Sequence, residues 1–275
     1  MIEWNPDVRP DHVRISAVGW GRAVVRGLAL FGVTYGGLAL LLAVRLVERP
    51  LAGEGRPVSP WITQGVCRAA FVILGIRHRM RGRPMADRGA IVANHSSWLD
   101  IFSLNACQRI YFVSKSEVAR WPVIGWLARA TGTVFIERDP KRAKSQQDLF
   151  ERRLRAGHRL LFFPEGTSTD GRRVLPFKSS LFGAFYTHGL DEVMHIQPVA
   201  VLYRAPIGRD ARFYGWWGDM SFAPHLLLTL AAPRQGTVEV VFLDPLRVTD
   251  FASRKDLAME CEARVRAVLG EGLDL

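Results

Sequence analysis

Ala90-Ile91-Val92-Ala93-Asn94-His95-Ser96-Ser97-Trp98-Leu99-Asp100 is the stretch on which the reading of the chain turns. Residues 90–93 are wholly apolar, the pattern of a strand delivered to the middle of a sheet. Ligands collect beyond the carboxyl ends of such strands, which is where His95 falls. Histidine is the side chain best suited to take a proton near neutral pH, and a neighbouring carboxylate holds its tautomer and steadies the imidazolium. Five residues on one straight helix separate two side chains by about 140°. His95 and Asp100 therefore meet only if His95 lies in the loop and Asp100 in the first turn of a following helix. The heptad also supports a structural reading. Ser97-x-x-Asp100 is a capping-box-like pattern, with Ser97 as N-cap and Asp100 reaching back to a free backbone N–H.

Outward from this stretch, apolar runs alternate with helical patterns. Strands are predicted at 90–93, 110–114, 133–137, 159–163, 196–202 and 237–243, and helices at 101–107, 117–129, 141–156, 177–188 and 254–268. The alternation predicts an α/β fold with a mixed or largely parallel sheet covered by helices. No internal repeat, GxSxG elbow, Walker loop or GxGxxG is present, so serine hydrolase, NTPase and dinucleotide-binding readings lack support. With 275 residues and no Ser/Gly/Pro-rich linker, one main domain at 81–275 is expected behind membrane-associated helices at 1–80.

Those N-terminal helices rest on two apolar segments. Residues 27–44, GLALFGVTYGGLALLLAV, carry no charge, with Arg22 and Arg26 before them and Arg45 after. Their length is near the lower limit for a bilayer span. Arg45-Leu46-Val47-Glu48 stands where a signal peptide would place its small-residue cleavage site. Residues 61–76 form the second segment, followed by Arg77, Arg79, Arg81, Arg83 and Arg88. Positive charge on both flanks places the N-terminus and the main domain on the same, cytoplasmic side. A helical hairpin in the inner membrane, or one lying in its cytoplasmic leaflet, satisfies this; two buried helices of a soluble domain are the alternative.

The net charge of +11 is mostly arginine, since lysine occurs only at 115, 141, 144, 178 and 255. It suits a polyanionic partner, an acidic membrane or a nucleic acid, although recognisable nucleic-acid motifs are lacking. Cys67, Cys107 and Cys261 are widely separated and read as free thiols in a reducing compartment. His12, His78, His158, His188, His195 and His225 form no ligand cluster, so neither metal nor cofactor is expected.

Three further constellations follow predicted strands. Gly132-Thr-Val-Phe-Ile-Glu-Arg138 ends in a guanidinium able to clamp an oxyanion through two hydrogen bonds, or equally in a solvated surface charge. Phe162-Phe163-Pro164-Glu165-Gly166-Thr167-Ser168 gathers a carboxylate, a permissive glycine and two hydroxyls into one turn; its structural reading is an ordinary turn closed by Asp170-Gly171. In Ile196-Gln197-Pro198-Val199-Ala200-Val201 the proline suggests an edge strand or a strand start.

In this order the four blocks resemble those of the glycerolipid acyltransferase family that includes bacterial 1-acyl-glycerol-3-phosphate acyltransferases. The family's NHxxxxD is matched by Asn94, His95 and Asp100, and GxxFIxR by Gly132, Phe135, Ile136 and Arg138. FPEGT is matched by residues 163–167, and an apolar strand with a central proline by residues 196–201. The resemblance covers roughly residues 60–245. It implies acyl transfer from acyl-carrier protein or acyl-CoA to the free hydroxyl of a lysolipid, with lysophosphatidate to phosphatidic acid the first expectation and lyso-ornithine lipid the alternative. His95 is then the general base and Asp100 its orienter, while Arg138, Glu165, Gly166, Thr167 and Lys178 bind the acceptor's head. Lys178 matches the family's Phe-Lys-x-Gly, except that Ser180 replaces the glycine. A lipid transacylase, a hydrolase and a non-catalytic membrane- or nucleic-acid-binding protein are the competing functions. The aromatic segment 211–225, ARFYGWWGDMSFAPH, is similar to one in proteobacterial lysolipid acyltransferases; its structural reading is a loop covering the core or resting at a membrane interface.

Overall fold

The computed structural model describes Trp4, residues 14–137, 143–186, Glu192 and residues 194–273. Two helices lead, α1 (Ala17–Ala52) and α2 (Ser59–Leu74). They are followed by β1 (Arg77–Arg81), β2 (Gly89–Ala93), α3 (Leu99–Cys107), β3 (Tyr111–Lys115), α4 (Ile124–Thr131), β4 (Val134–Ile136), α5 (Ala143–Arg155) and β5 (Leu160–Phe162). Then come β6 (His195–Arg204), α6 (Phe222–Ala231), β7 (Thr237–Phe242), β8 (Leu246–Arg247) and α7 (Arg254–Leu273). The eight-stranded sheet has the order β1-β7-β6-β2-β5-β3-β4, with β8 also pairing β6. Strands β6, β2, β5, β3 and β4 are parallel, whereas β7 and β8 run antiparallel to β6. The sheet is thus mixed and mostly parallel, as the alternation predicts.

Helices cover both faces, which is why β2 is apolar at every position. Ile91 and Ala93 join the core beneath α1, α2, α3 and α6, while Ala90 and Val92 join the core under α5 and α7. Each fully buried aliphatic side chain contributes about 1.5–3 kcal/mol. Leu161 on β5 and Val199 and Val201 on β6 extend the first core; Leu160, Phe162, Ala200 and Leu202 extend the second. Both cores converge on β2, so the loop after it starts from the most rigid part of the sheet. Free Cys67 and Cys261 are buried in these cores.

The N-terminal pair packs on this unit. Ser16 caps α1, its hydroxyl accepting from the Gly19 N–H at 3.1 Å. The helix closes at Gly53, whose φ of 56° a side chain would resist. At Gly37 a Cβ would lie 2.3 Å from Val66 Cγ2, so glycine is what lets α2 approach α1 there. Ala23, Leu30, Cys67 and Phe71 share one core with β2, and β1 spans the division expected at residues 80 and 81. Over the rest of α1, Val25, Leu28, Phe31, Leu46 and Leu51 are exposed. The helix is long and apolar enough to cross a membrane.

Local departures from the sequence reading have local causes. β1, Arg-His-Arg-Met-Arg, is an edge strand mostly open to solvent, so it lacks the apolar signature of a strand and carries the charges that guard an edge. The helix expected at 117–129 is a 3-10 turn (Ser116–Arg120) and then α4, broken around Pro122, which offers no N–H. The one expected at 177–188 is a 3-10 helix at Ser179–Tyr186, and His188 lies outside the described residues. Residues 222–225 open α6 instead of continuing a loop. Pro198 occupies neither an edge nor a strand start: β6 is interior, between β2 and β7. Its carbonyl accepts from the Leu243 N–H at 3.1 Å, so its missing N–H points to the same side, between the β8 and β7 ladders. There the Gln197 side chain donates to the Leu243 carbonyl at 2.8 Å.

Candidate active site

Asn94 extends the sheet one residue past β2. Its side-chain amide donates to the Val201 carbonyl at 3.0 Å and accepts from the Val201 N–H at 2.8 Å, mimicking a peptide group on β6. With Asn94 fixed, His95 begins the loop and Asp100 lies in the first turn of α3. The contact expected from their spacing is made: His95 Nδ1 and Asp100 Oδ2 are 2.7 Å apart.

The fully buried Asp100 carboxylate is saturated with donors. Besides His95, its Oδ2 accepts from the Ser96 and Ser97 N–H groups at 2.8 and 3.0 Å, and its Oδ1 accepts from the Tyr203 hydroxyl at 2.7 Å. The part of the structural reading that concerns Asp100 therefore matches the geometry. One oxygen caps the turn and orients the ring, although Ser97 itself is not the N-cap residue. A carboxylate only accepts, so Nδ1 carries the proton and Nε2 presents a lone pair. Burial, then the charge of Asp100, hold the Tyr203 phenol well above its ordinary value, so it stays a donor. The half-buried His95 ring stacks on Phe163, with centroids 4.0 Å apart and planes 12° from parallel.

Glu165 follows β5 and touches the same loop. Its Oε1 accepts from the His95 N–H and its Oε2 from the Leu175 N–H, both at 2.7 Å. Burial raises its carboxyl from 4.5 to about 8, against the lowering effect of those two N–H groups. It is buried, and each of its oxygens accepts from the backbone, one of them from His95 itself. Gly166 turns the chain with φ 73°, and a Cβ there would lie 2.6 Å from Lys178 Nζ, so glycine admits that ammonium to the turn. Thr167 is half-buried beside it. The structure thus brings together His95, Asp100, Glu165, Gly166, Thr167 and Lys178, while Arg138 lies outside the described residues, after Glu137.

The segment 211–225 buttresses this loop from behind. The Trp216 N–H donates to the Ser96 carbonyl at 2.8 Å, and Trp98 Nε1 donates to His225 Nδ1 at 2.9 Å. Burial lowers His225 to about 4, keeping it neutral and able to accept. Tyr214 and Trp217 are fully buried, in keeping with a segment that covers the core. Among the described residues, no cluster of three or more His, Cys, Asp or Glu side chains could hold a metal.

The chain belongs to the acyltransferase family, whose family model matches residues 77–202. It is 63% identical over 268 residues to the lyso-ornithine lipid O-acyltransferase of Rhodobacter capsulatus, covering 98% of this chain and 97% of that protein. It is 37% identical over 268 residues to the lyso-ornithine lipid O-acyltransferase of Rhizobium meliloti, covering 93% and 88% of the two chains. To the 1-acyl-sn-glycerol-3-phosphate acyltransferase of Neisseria gonorrhoeae it is 32% identical over 199 residues, covering 70% and 75%. The crystal structure of the 1-acyl-sn-glycerophosphate (LPA) acyltransferase PlsC from Thermotoga maritima has the same fold. It matches with a TM-score of 0.58 at 20% identity, over 90% of this chain and 97% of that one.

Proposed function

We propose that this acyltransferase moves a fatty acyl group from an acyl-carrier protein or acyl-CoA thioester to the free hydroxyl of lyso-ornithine lipid. The observation that carries the chemistry is the 2.7 Å contact of His95 Nδ1 with buried Asp100, which leaves Nε2 as the base. Nε2 takes the proton of the acceptor hydroxyl as its oxygen attacks the thioester carbonyl. The imidazolium, steadied by Asp100, returns that proton to the departing thiol as the tetrahedral intermediate collapses to the ester. The choice of acceptor rests on the relatives. The two similar along nearly the whole chain are named for lyso-ornithine lipid, which favours this acceptor over the lysophosphatidate first expected.

In this reading Lys178, the Gly166-Thr167 turn and Arg138 receive the acceptor's anionic group. A guanidinium binds a carboxylate or a phosphate through two parallel hydrogen bonds, so these residues alone serve either acceptor. Embedding α1 in the inner membrane, with the α/β domain on the cytoplasmic face, brings lipid acceptor and soluble donor to one site. Transfer assays with labelled thioester, offering lyso-ornithine lipid, lysophosphatidate or water alone, test the proposal. Product with lyso-ornithine lipid is expected. Turnover of lysophosphatidate alone overturns the acceptor, and release of free fatty acid alone overturns the transfer.

A further inference from the structure

A second basic site lies at the amino ends of β3 and β4. Arg45 and Arg49 near the end of α1, Arg56 just after it, Arg129 on α4 and Arg153 on α5 line one cleft of about 1020 Å³, with Glu54 as the only acidic lining residue among the described residues. Arg153 and Arg56 lie 4.8 and 5.9 Å from the ring of Tyr111, which opens β3, and Arg153 donates to the carbonyl of Gly132, just before β4. His95 and Glu165 instead follow the carboxyl ends of β2 and β5. Because β2, β5, β3 and β4 are parallel, the cleft and His95 are at opposite ends of the strands.

Four of these guanidiniums are held in place by contacts that leave donors over, and that of Arg49 is exposed. Arg56 donates to the Ala130 carbonyl at 2.9 Å, Arg153 to that of Gly132 at 2.8 Å and Arg129 to that of Ala119. Arg45 pairs with Glu48 at 3.0 Å. Each guanidinium has five N–H groups, and the carbonyl contacts of Arg56, Arg129 and Arg153 leave their charge uncompensated. Burial and neighbouring arginines lower Arg56 and Arg153, and they hold the adjacent His158 down to about 4. The remaining wall is apolar: Leu42, Ala43 and Leu46 of α1, with Leu42 and Leu46 exposed. Fixed guanidiniums against an uncovered apolar strip, at the end of a helix able to cross a membrane, match a ligand that is anionic at one end and hydrocarbon at the other.

We propose that this cleft binds an anionic phospholipid, its phosphate among Arg56, Arg153 and Arg49 and its acyl chains along Leu42 and Leu46. The proposal is independent of which lysolipid the enzyme acylates. It is tested by titrating the full-length protein, in neutral detergent, with fluorescent phosphatidylglycerol. The competitors are unlabelled phosphatidylglycerol, phosphatidylcholine, inorganic phosphate and an acidic acyl-carrier protein. Saturable binding displaced by phosphatidylglycerol alone is expected. Arg56→Gln/Arg153→Gln should weaken it at least about tenfold. Arg49→Gln/Arg129→Gln, at exposed positions that do not endanger folding, should weaken it in the same direction. Arg247→Gln/Lys255→Gln, which removes the same charge elsewhere, should bind as wild type. Equal displacement by phosphatidylcholine overturns the proposal, as does equal weakening in the Arg247/Lys255 variant. Displacement by inorganic phosphate makes the cleft a free-anion site, and displacement by the carrier protein makes it a donor-docking site; either result also overturns it.

Discussion

Asp100→Asn separates the charge of Asp100 from its geometry. Oδ2 receives three N–H donors, from His95, Ser96 and Ser97, whereas Oδ1 faces only the Tyr203 hydroxyl. An amide can therefore fit one way only. Its oxygen must take the Oδ2 position, because an NH2 there would oppose two backbone N–H groups, and its nitrogen then faces a phenol that can rotate to accept. The fold and the His95 tautomer both survive, and only the negative charge is lost. Replacing a charge-assisted bond by a neutral one costs about 1.5 kcal/mol, and the full Coulomb interaction near 4 Å at an effective dielectric of 20 is about 4 kcal/mol. Imidazolium forms only along the reaction, so the loss falls on turnover, by about 10- to 10³-fold. Melting temperature should stay within a few degrees of wild type. Asp100→Ala, by contrast, strands all four donors in the core and should be severely destabilised. Single-turnover acyl transfer and melting curves on the same preparations provide the assay. Wild-type turnover in Asp100→Asn, or a loss no larger than its loss of folded protein, would refute the orienting role.

Tyr203→Phe removes a donor from a buried carboxylate and should cost about 1.5–3 kcal/mol, seen as a fall of several degrees in Tm. Unchanged turnover per folded molecule beside the lowered Tm leaves Tyr203 a purely structural role. Glu165, raised from 4.5 to about 8, favours the folded state in its protonated form, so its contribution declines as pH rises through that interval. Glu165→Gln removes this titration but sets its NH2 against the His95 or the Leu175 N–H, so it should lower Tm at every pH while flattening the fall of Tm between pH 5 and pH 8.5; parallel slopes in the two proteins contradict this. Arg138→Lys should raise KM for the lysolipid more than for the thioester, and equal changes in both remove its assignment to the acceptor.

The His95–Asp100 pair was legible because both members lie within one loop and helix turn, where spacing alone restricts geometry. Tyr203 was not: it is 103 residues from Asp100, and only the parallel pairing of β6 with β2 brings it there. Its signal is the period of two through Val199, Val201 and Tyr203, whose side chains share one face, but the strand reading stopped one residue short at 202. Glu165 shows a different limit. A carboxylate in a turn reads the same whether it meets a ligand or two backbone N–H groups, and burial decides which. β1 was hidden because an edge strand needs no apolar pattern. Pro198 was misplaced because a proline excludes hydrogen bonding on one side of a strand only, and that side here lies between two ladders. The α/β class itself was legible because parallel strands covered on both faces leave continuous apolar runs in the chain.

His95 is the proposed base, and turnover of lyso-ornithine lipid by His95→Ala tests that role most directly. The variant keeps the backbone N–H that Glu165 accepts, so it should fold and bind the lysolipid while transferring acyl groups at least ~10²-fold more slowly than wild type. Near-wild-type transfer by folded His95→Ala would contradict it.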